Sequence, residues 1–228
     1  MNYLVTGAGG FIGSAIVKKL LMQGNTCTTI DNFSTGTKAN VPFGCKLMER
    51  DVADTGVVGQ LMDERYDAVI HIAGQSSGEV SFESPIYDLN TNTKSTLLLL
   101  DLAKKTKVKK FIYASSMSVY GEQGDGFVDE ATATQPKSFY AVGKLASESY
   151  MRIYSDFGIQ CTALRFFNVY GIGQNMGNLK QGMFSIYLAQ AINNRHIVIK
   201  GAKDRYRDFV YIEDVVDSVL AALGRTVG

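Results

Sequence analysis

Asn2-Tyr3-Leu4-Val5-Thr6-Gly7-Ala8-Gly9-Gly10-Phe11-Ile12-Gly13 opens the chain, and the reading of that stretch decides the fold. Asn2 to Thr6 reads as a short apolar strand, and the glycine run follows it without a break. Ser14 to Gln23 then carries apolar residues at helical spacing (Ile16, Val17, Leu20, Leu21), and after Gly24 a second strand, Thr26 to Ile30, runs into Asp31-Asn32. Strand, glycine turn, helix, strand and acid make the layout of a dinucleotide-binding βαβ unit. Gly7 turns the chain off the strand, Gly10 lets the backbone approach a pyrophosphate at the helix start, and Gly13 lets helix and strand pack closely. Asp31 can accept from both ribose hydroxyls and would repel a 2′-phosphate, which favours NAD over NADP. The spacing is GxxGxxG with an extra glycine at 9, and the alternative reading is a tight βα turn without a ligand.

Working outward, strand and helix patterns alternate with no linker. Strands are expected at Lys46 to Arg50, Ala68 to His71, Lys110 to Ala114 and Gln160 to Phe167. Helices are expected near Asp54 to Glu64, from Pro85 to Lys105 with an apolar stripe (Leu89, Leu97, Leu98, Leu100, Ala103), and from Tyr140 to Phe157. This order implies right-handed crossovers and an α/β fold, a doubly wound parallel sheet with helices on both faces. Ligands collect at the carboxyl ends of such strands, where Asp31, Asp51, Ala73, Ser116 and Asn168 fall. From Gly171 the texture changes to a Gly/Asn/Gln-rich stretch that reads as a mobile loop. A helix (Phe184 to Asn193), two short strands (His196 to Lys200, Arg207 to Tyr211) and a last helix (Glu213 to Leu223) follow. The expected division is therefore 1–170, the dinucleotide-binding domain, and 171–228, a smaller substrate region.

Composition narrows the function. The 228 residues hold one large α/β domain or one plus a small addition, and the formal charge of +1 offers no basic field for nucleic acid. Three scattered cysteines (Cys27, Cys45, Cys161) fit reduced thiols in a cytoplasmic protein, not a disulfide framework or a metal site. The longest apolar run is too short to span a bilayer. His71 reads as a structural or cofactor-wall residue and not as a base, His196 precedes a short strand with no partner in sight, and Tyr120 packs either at the edge of the substrate pocket or in the core.

Tyr140-Ala141-Val142-Gly143-Lys144 places a phenol and an ammonium on one helix face. A tyrosine titrates near ~10 in water, so as a base at neutral pH it needs a nearby positive charge, which the lysine and an oxidised nicotinamide supply. Ser116, at a strand end, can hydrogen-bond the same substrate oxygen. The bland alternative is a half-exposed helical pair.

TGAGGFIG, DNFSTG, Asp51-Val52, HIAGQSS, SSMSVYG, YAVGK, RFFNVYG and RDFVYIEDV occur in the order of the extended short-chain dehydrogenase/reductases. The chain resembles most the nucleotide-sugar epimerases among them, the UDP-glucose 4-epimerase-like NAD-dependent epimerase/dehydratase group, over nearly its whole length. The resemblance implies a Rossmann domain, bound NAD, a UDP-sugar as the first-choice substrate, and a homodimer built on the two long helices. By position, Phe11 and Ile12 would lie under the pyrophosphate; Asp31, Asn32, Ser34, Thr35 and Gly36 would hold the adenosine ribose. Asp51 and Val52 would border the adenine, and Ala73, Gly74 and Gln75 the middle of the cofactor, with Asn92, Tyr140, Lys144 and Phe167 completing its site. Ser76, Ser116, Asn168 and Arg207 would face the sugar nucleotide, and Ser116, Tyr140 and Lys144 would be catalytic. The Arg207 guanidinium can fork onto a phosphate; the alternative reading is a surface arginine paired with Asp204 or Asp208.

Two departures are visible: Ser95 replaces a family glycine, and Gly143 a family serine. Dehydratase relatives carry an Asp-Glu pair after the catalytic hydroxyl, and sugar-acid decarboxylases tend to carry an acid nearby. Met117-Ser118 stand here instead, which favours oxidation and return of the hydride at C4, that is, 4-epimerisation. A relative that stops after one hydride transfer, and a non-catalytic NAD-binding module, are the competing readings. Family members run longer past RDFVYIEDV, so the substrate region is expected to be partial.

Overall fold

The structure, a computed structural model, describes residues 1–124, 126–177, 182–199 and 206–224. Six parallel strands, β1 (Asn2–Thr6), β2 (Thr26–Asp31), β3 (Lys46–Glu49), β4 (Ala68–His71), β5 (Lys110–Ser116) and β6 (Gln160–Phe166), form one sheet in the order β3-β2-β1-β4-β5-β6. The expected doubly wound sheet is thus present. The strand order reverses beside β1, so the crevice between the carboxyl ends of β1 and β4 is open to a ligand.

Both faces are covered because the central strands are apolar on both sides. On one face α2 (Thr55–Leu61), α5 (Ser95–Thr106) and α6 (Phe139–Ser155) enclose Leu4, Val69, Leu99, Phe111 and Met151. On the other, α1 (Phe11–Met22) and α8 (Ile212–Gly224) pack together over Val5, Ile70 and Ile112 through Ile16, Leu20, Val216 and Val219. Hence α8, from the region after residue 170, closes the same core as the first helix of the chain.

The long helix expected over Pro85 to Lys105 begins as α4 (Pro85–Asp88), widens into a π-helical segment (Leu89–Lys94), and resumes as α5. The wider turn rotates the apolar stripe out of register: Leu89, expected in the core, is 52% exposed, while Asp88, Thr91, Asn92 and Thr93 are buried. Side-chain hydroxyls satisfy the displaced carbonyls. Ser95 Oγ donates to Thr91 O (2.6 Å), and Thr96 Oγ1 and Ser147 Oγ donate to Asn92 O (2.6 and 3.2 Å).

Beyond β6, β7 (Asn168–Tyr170) pairs in parallel with β8 (Phe209–Tyr211), and α7 (Met183–Asn194) follows the glycine-rich loop. The strand expected at His196 to Lys200 is not formed over 196–199, where the chain is irregular and exposed; residue 200 lies outside the described residues. A short helix α3 (Gly78–Glu83), unforeseen in the sequence, follows β4; Ser77 caps it by accepting from Val80 N.

Candidate active site

A cleft of about 500 Å³ runs along the carboxyl ends of β1 to β6. Its floor at β1 is backbone. Gly7 has φ +80°, and a Cβ there would lie 2.8 Å from Ala73 N. A Cβ on Gly13 would lie 2.0 Å from Gly7 O, so only glycine lets α1 sit this close to the strand. Gly10 caps α1 with extended backbone, no side chain caps the first turn, and no acidic residue lies in it. The N–H groups at this helix start therefore remain for an anion in the cleft. That uncapped turn above a glycine floor fits a dinucleotide pyrophosphate.

At the adenosine end both oxygens of Asp31 are already in use. Oδ2 accepts from Gly9 N and Oδ1 from Phe33 N, each at 2.8 Å. A carboxylate oxygen has a second lone pair, so each can still take a ribose hydroxyl. Asp51 accepts from Ala53 N (2.8 Å) and Asn32 Nδ2 (3.2 Å), and Asn32 Oδ1 accepts from Ser34 N (3.0 Å). These two acids thus build the loops as well as lining the cleft. Arg50, directly before Asp51, also lines it and was not anticipated, although its place at the end of β3 marks it.

The middle wall depends on a directed chain of hydrogen bonds. Thr6 Oγ1 accepts from Ile72 N (3.1 Å) and Ala73 N (3.0 Å), and so donates to His71 Nδ1 (2.8 Å). His71 Nε2 then carries the proton and donates to Ser95 Oγ (3.2 Å), whose own proton goes to Thr91 O. His71 is fully buried and neutral; burial first, and the Lys144 charge second, push its pKa down to about 3. It is a brace, as its sequence context suggests, and the serine that replaces the family glycine at 95 completes it.

At the far end Ser138 caps α6 by accepting from Ala141 N (3.1 Å), which puts Tyr140 in the first turn and Lys144 one turn on. Both are buried yet line the cleft, as does Ser116. Lys144 Nζ lies 5.6 Å from the centre of the Tyr140 ring and donates to Ala114 O at 2.8 Å. Burial holds the Lys144 pKa below the usual lysine value, against the opposing pull of Tyr140, Asp88 and Glu148. Ser116 Oγ accepts from Ser118 N (3.2 Å) and Ser118 Oγ (3.0 Å), so its own proton is free for a ligand.

The cleft gathers Gly7, Gly10, Phe11, Ile12, Gly13, Asp31, Asn32, Ser34, Thr35, Gly36, Asp51, Val52, Ala73, Gly74, Gln75, Ser76, Ser116, Tyr140, Lys144, Phe167 and Asn168. Two expected members stand apart. Asn92 is fully buried behind the wall, donating Nδ2 to Gln75 O (2.9 Å) and Asp88 Oδ1 (3.0 Å). Arg207 lines a neighbouring apolar cavity of about 470 Å³ with Phe184, Leu188 and Phe209, and its Nη1 donates to Tyr206 O (2.9 Å). Of the two carboxylates offered as alternative partners, Asp204 lies outside the described residues, and Asp208 makes no ion pair with Arg207 among the described residues. Gln174 and Asn175, from the stretch expected to be a mobile loop, line the main cleft. Asn168 donates to Asp208 O (2.7 Å) and approaches the Met117 sulfur at 3.7 Å. Among the described residues no cluster of His, Cys, Asp and Glu fits a metal ion.

Residues 3–227 match the model of the NAD dependent epimerase/dehydratase family. The chain is 32% identical over 235 residues to the UDP-glucose 4-epimerase of Mycolicibacterium smegmatis, covering 100% of this chain and 75% of that protein. It superposes with a TM-score of 0.95 on a UDP-glucose 4-epimerase from Thermotoga maritima solved with UDP-glucose, at 33% identity, covering 99% of this chain and 74% of that one. The Thermus thermophilus UDP-glucose 4-epimerase in complex with NAD gives a TM-score of 0.91 at 34% identity, covering 100% and 76%.

Proposed function

The chain belongs to the NAD dependent epimerase/dehydratase family, and from that premise we propose that it is an NAD-dependent 4-epimerase of a UDP-sugar. The observation that carries this reading is the meeting of Ser116, Tyr140 and Lys144 in one cleft with the uncapped glycine turn of α1. Lining the cleft, Gly7, Gly10, Phe11, Ile12 and Gly13 would hold the pyrophosphate of NAD, Asp31 the adenosine ribose, and Lys144 the nicotinamide ribose. When bound, NAD supplies the group that accepts a hydride from the sugar and returns it.

Tyr140 takes the proton of the C4 hydroxyl, with the phenolate stabilised by the Lys144 ammonium a turn away. Ser116, its hydroxyl proton uncommitted, donates to the same oxygen and holds it against the phenol. Tyr140 gives the proton back when the hydride arrives on the opposite face, so the protein ends the cycle unchanged. Met117 and Ser118 bring no carboxylate to this end of the cleft, so elimination or decarboxylation lacks its acid.

Ile86 on α4, Leu89 in the π-helical segment, Val142 and Ile153 on α6 and Phe157 just past it are exposed, apolar side chains suited to pairing with a second copy across a two-fold axis. The three free cysteines fit a reducing, cytoplasmic setting. No helix among the described residues is long and apolar enough to cross a membrane.

The test is direct: purified protein is incubated with NAD and UDP-glucose or UDP-N-acetylglucosamine, and the products are read by proton NMR. The C4-inverted sugar is expected. Free NADH accumulating with a keto sugar would indicate a one-way oxidoreductase, and NAD binding without turnover of any nucleotide sugar would indicate a binding module.

A further inference from the structure

Asp88 is only 1% exposed, and among the described residues it makes no ion pair. We infer that this carboxylate is a positioning residue for the catalytic end of the cleft, fixing the 73–77 wall and serving as the buried counter-charge of the Lys144 ammonium. The inference rests on the epimerase reading only for the name of the reaction; the charge relationship stands on the fold.

The geometry is specific. Asp88 Oδ1 accepts from Gln75 Nε2 (2.7 Å) and from Asn92 Nδ2 (3.0 Å). Gln75 in turn donates to Ser77 O (2.7 Å) and accepts from Ser77 N, so its side chain has one orientation. Asn92 donates its other proton to Gln75 O (2.9 Å). One carboxylate oxygen therefore locks both the side chain that lines the cleft and the amide behind it. Asp88 Oδ2 lies 3.6 Å from where a Cβ on Gly143 would stand, and Gly143 immediately precedes Lys144. The missing Cβ at 143 leaves the carboxylate against α6, and a serine there would crowd Thr93 Oγ1 at 3.0 Å.

Lys144 needs such a partner. It is 4% exposed, donates to one carbonyl, and makes no ion pair among the described residues. An ammonium buried in that way loses its proton readily unless a negative charge faces it. Asn92 Oδ1 and Lys144 Nζ converge on Gly74, 2.4 and 3.6 Å from where its Cβ would stand, so the amide that donates to Asp88 lies beside the ammonium. The charged and titratable groups around Lys144 are Tyr140 and Glu148 from α6, Asp88 from α4, His71 from β4 and the Tyr113 ring from β5, 4.7 Å away. Glu148 is already committed to Arg165, through Oε1 and Oε2 at 3.0 and 2.7 Å. His71 is neutral, and Asp88 is the carboxylate that no cation among the described residues has claimed; burial raises its pKa, against the opposing pull of the bonds from Gln75 and Asn92 and of the Lys144 charge.

The experiment follows the ε-carbon of Lys144 by NMR across pH in ¹³C-lysine-labelled protein without added substrate, with the signal assigned by Lys144→Arg. Asp88→Asn keeps the shape and removes the charge. The titration midpoint of Lys144 is expected to fall by at least about half a pH unit, and the pH window of turnover to move down with it. Asp88→Glu, which keeps the charge, is expected to return the midpoint toward the parent value and guards against a misfolded Asn variant. An unchanged midpoint in Asp88→Asn, with thermal stability kept, would overturn the inference. Because this readout needs no turnover, an absence of epimerase activity would count against the proposed reaction and leave the midpoint comparison standing.

Discussion

The two ends of the cleft are built by different means. At the adenosine end the floor is backbone: glycines too crowded for a Cβ, an uncapped helix turn, and two carboxylates tied to main-chain N–H groups. At the catalytic end the working groups are side chains, held by a buried polar scaffold of His71, Ser95, Asp88, Gln75 and Asn92. A backbone site tolerates change in its surroundings but not at its glycines. A side-chain site depends on residues that touch no ligand.

Changes can be ordered by how hard they strain that contrast. Tyr140→Phe should lower epimerisation roughly 10²- to 10⁴-fold, the usual worth of a proton-transfer group, while the dissociation constant for NAD stays within about a factor of two. An equal loss of NAD binding would erase the separation of the two ends. Gly13→Ala pushes a methyl into Gly7 O, 2.0 Å away, and should weaken NAD binding by about 10²-fold or abolish it, as titration calorimetry would show.

His71 gives a pH test of the scaffold. Its folded pKa, about 3, lies below the ordinary value near 6.5, so the folded state refuses a proton that the unfolded chain accepts. The stability this represents is complete above pH ~6.5 and is lost as pH falls toward about 3, at about 1.4 kcal/mol per pH unit for one proton. Urea melts of the parent and of His71→Gln between pH 7 and pH 4 should converge as the pH falls; parallel curves would contradict the brace.

Asp31→Ser, at the exposed adenosine end, should shift preference toward NADP by about tenfold by removing the charge that opposes a 2′-phosphate. Fluorescence titration with both cofactors measures it. Gly143→Ala should do least. Its methyl meets Thr93 Oγ1 at 3.0 Å, and the crowding offsets the roughly 1 kcal/mol that alanine gains in a helix, leaving a change in melting temperature of a few degrees at most.

The same contrast explains what was legible in the sequence. The adenosine end is read from local order, because glycine spacing and strand ends are written in consecutive residues; the sheet and the positions of Gly7, Gly10, Gly13, Asp31 and Asp51 in the cleft follow from it, while most of the other expected lining residues come from the family resemblance. The π-helical segment is not read, because an apolar stripe at ordinary helical spacing puts Leu89 inside. Only the buried polar residues decide otherwise: Thr91 bonds Tyr87 O and Asp88 O, Asn92 bonds Gln75 O and Asp88, and Thr93 reaches Gly143 O on α6. Motif position puts Asn92 among the lining residues and Arg207 in the main cleft, but it tells nothing of which side of a wall a side chain occupies: Asn92 sits behind the wall and Arg207 in the neighbouring cavity. The stretch at 196–199 has strand composition, but among the described residues no strand pairs with it.

The central claim is that one buried phenol–ammonium–hydroxyl group lets a hydride leave a sugar carbon and come back to that same carbon. Deuterium placed at C4 of UDP-glucose tests it most directly. After incubation with protein and NAD, mass spectrometry and NMR of the C4-inverted product should find the label still at C4. Label lost to solvent, or collected in free reduced cofactor, would contradict it.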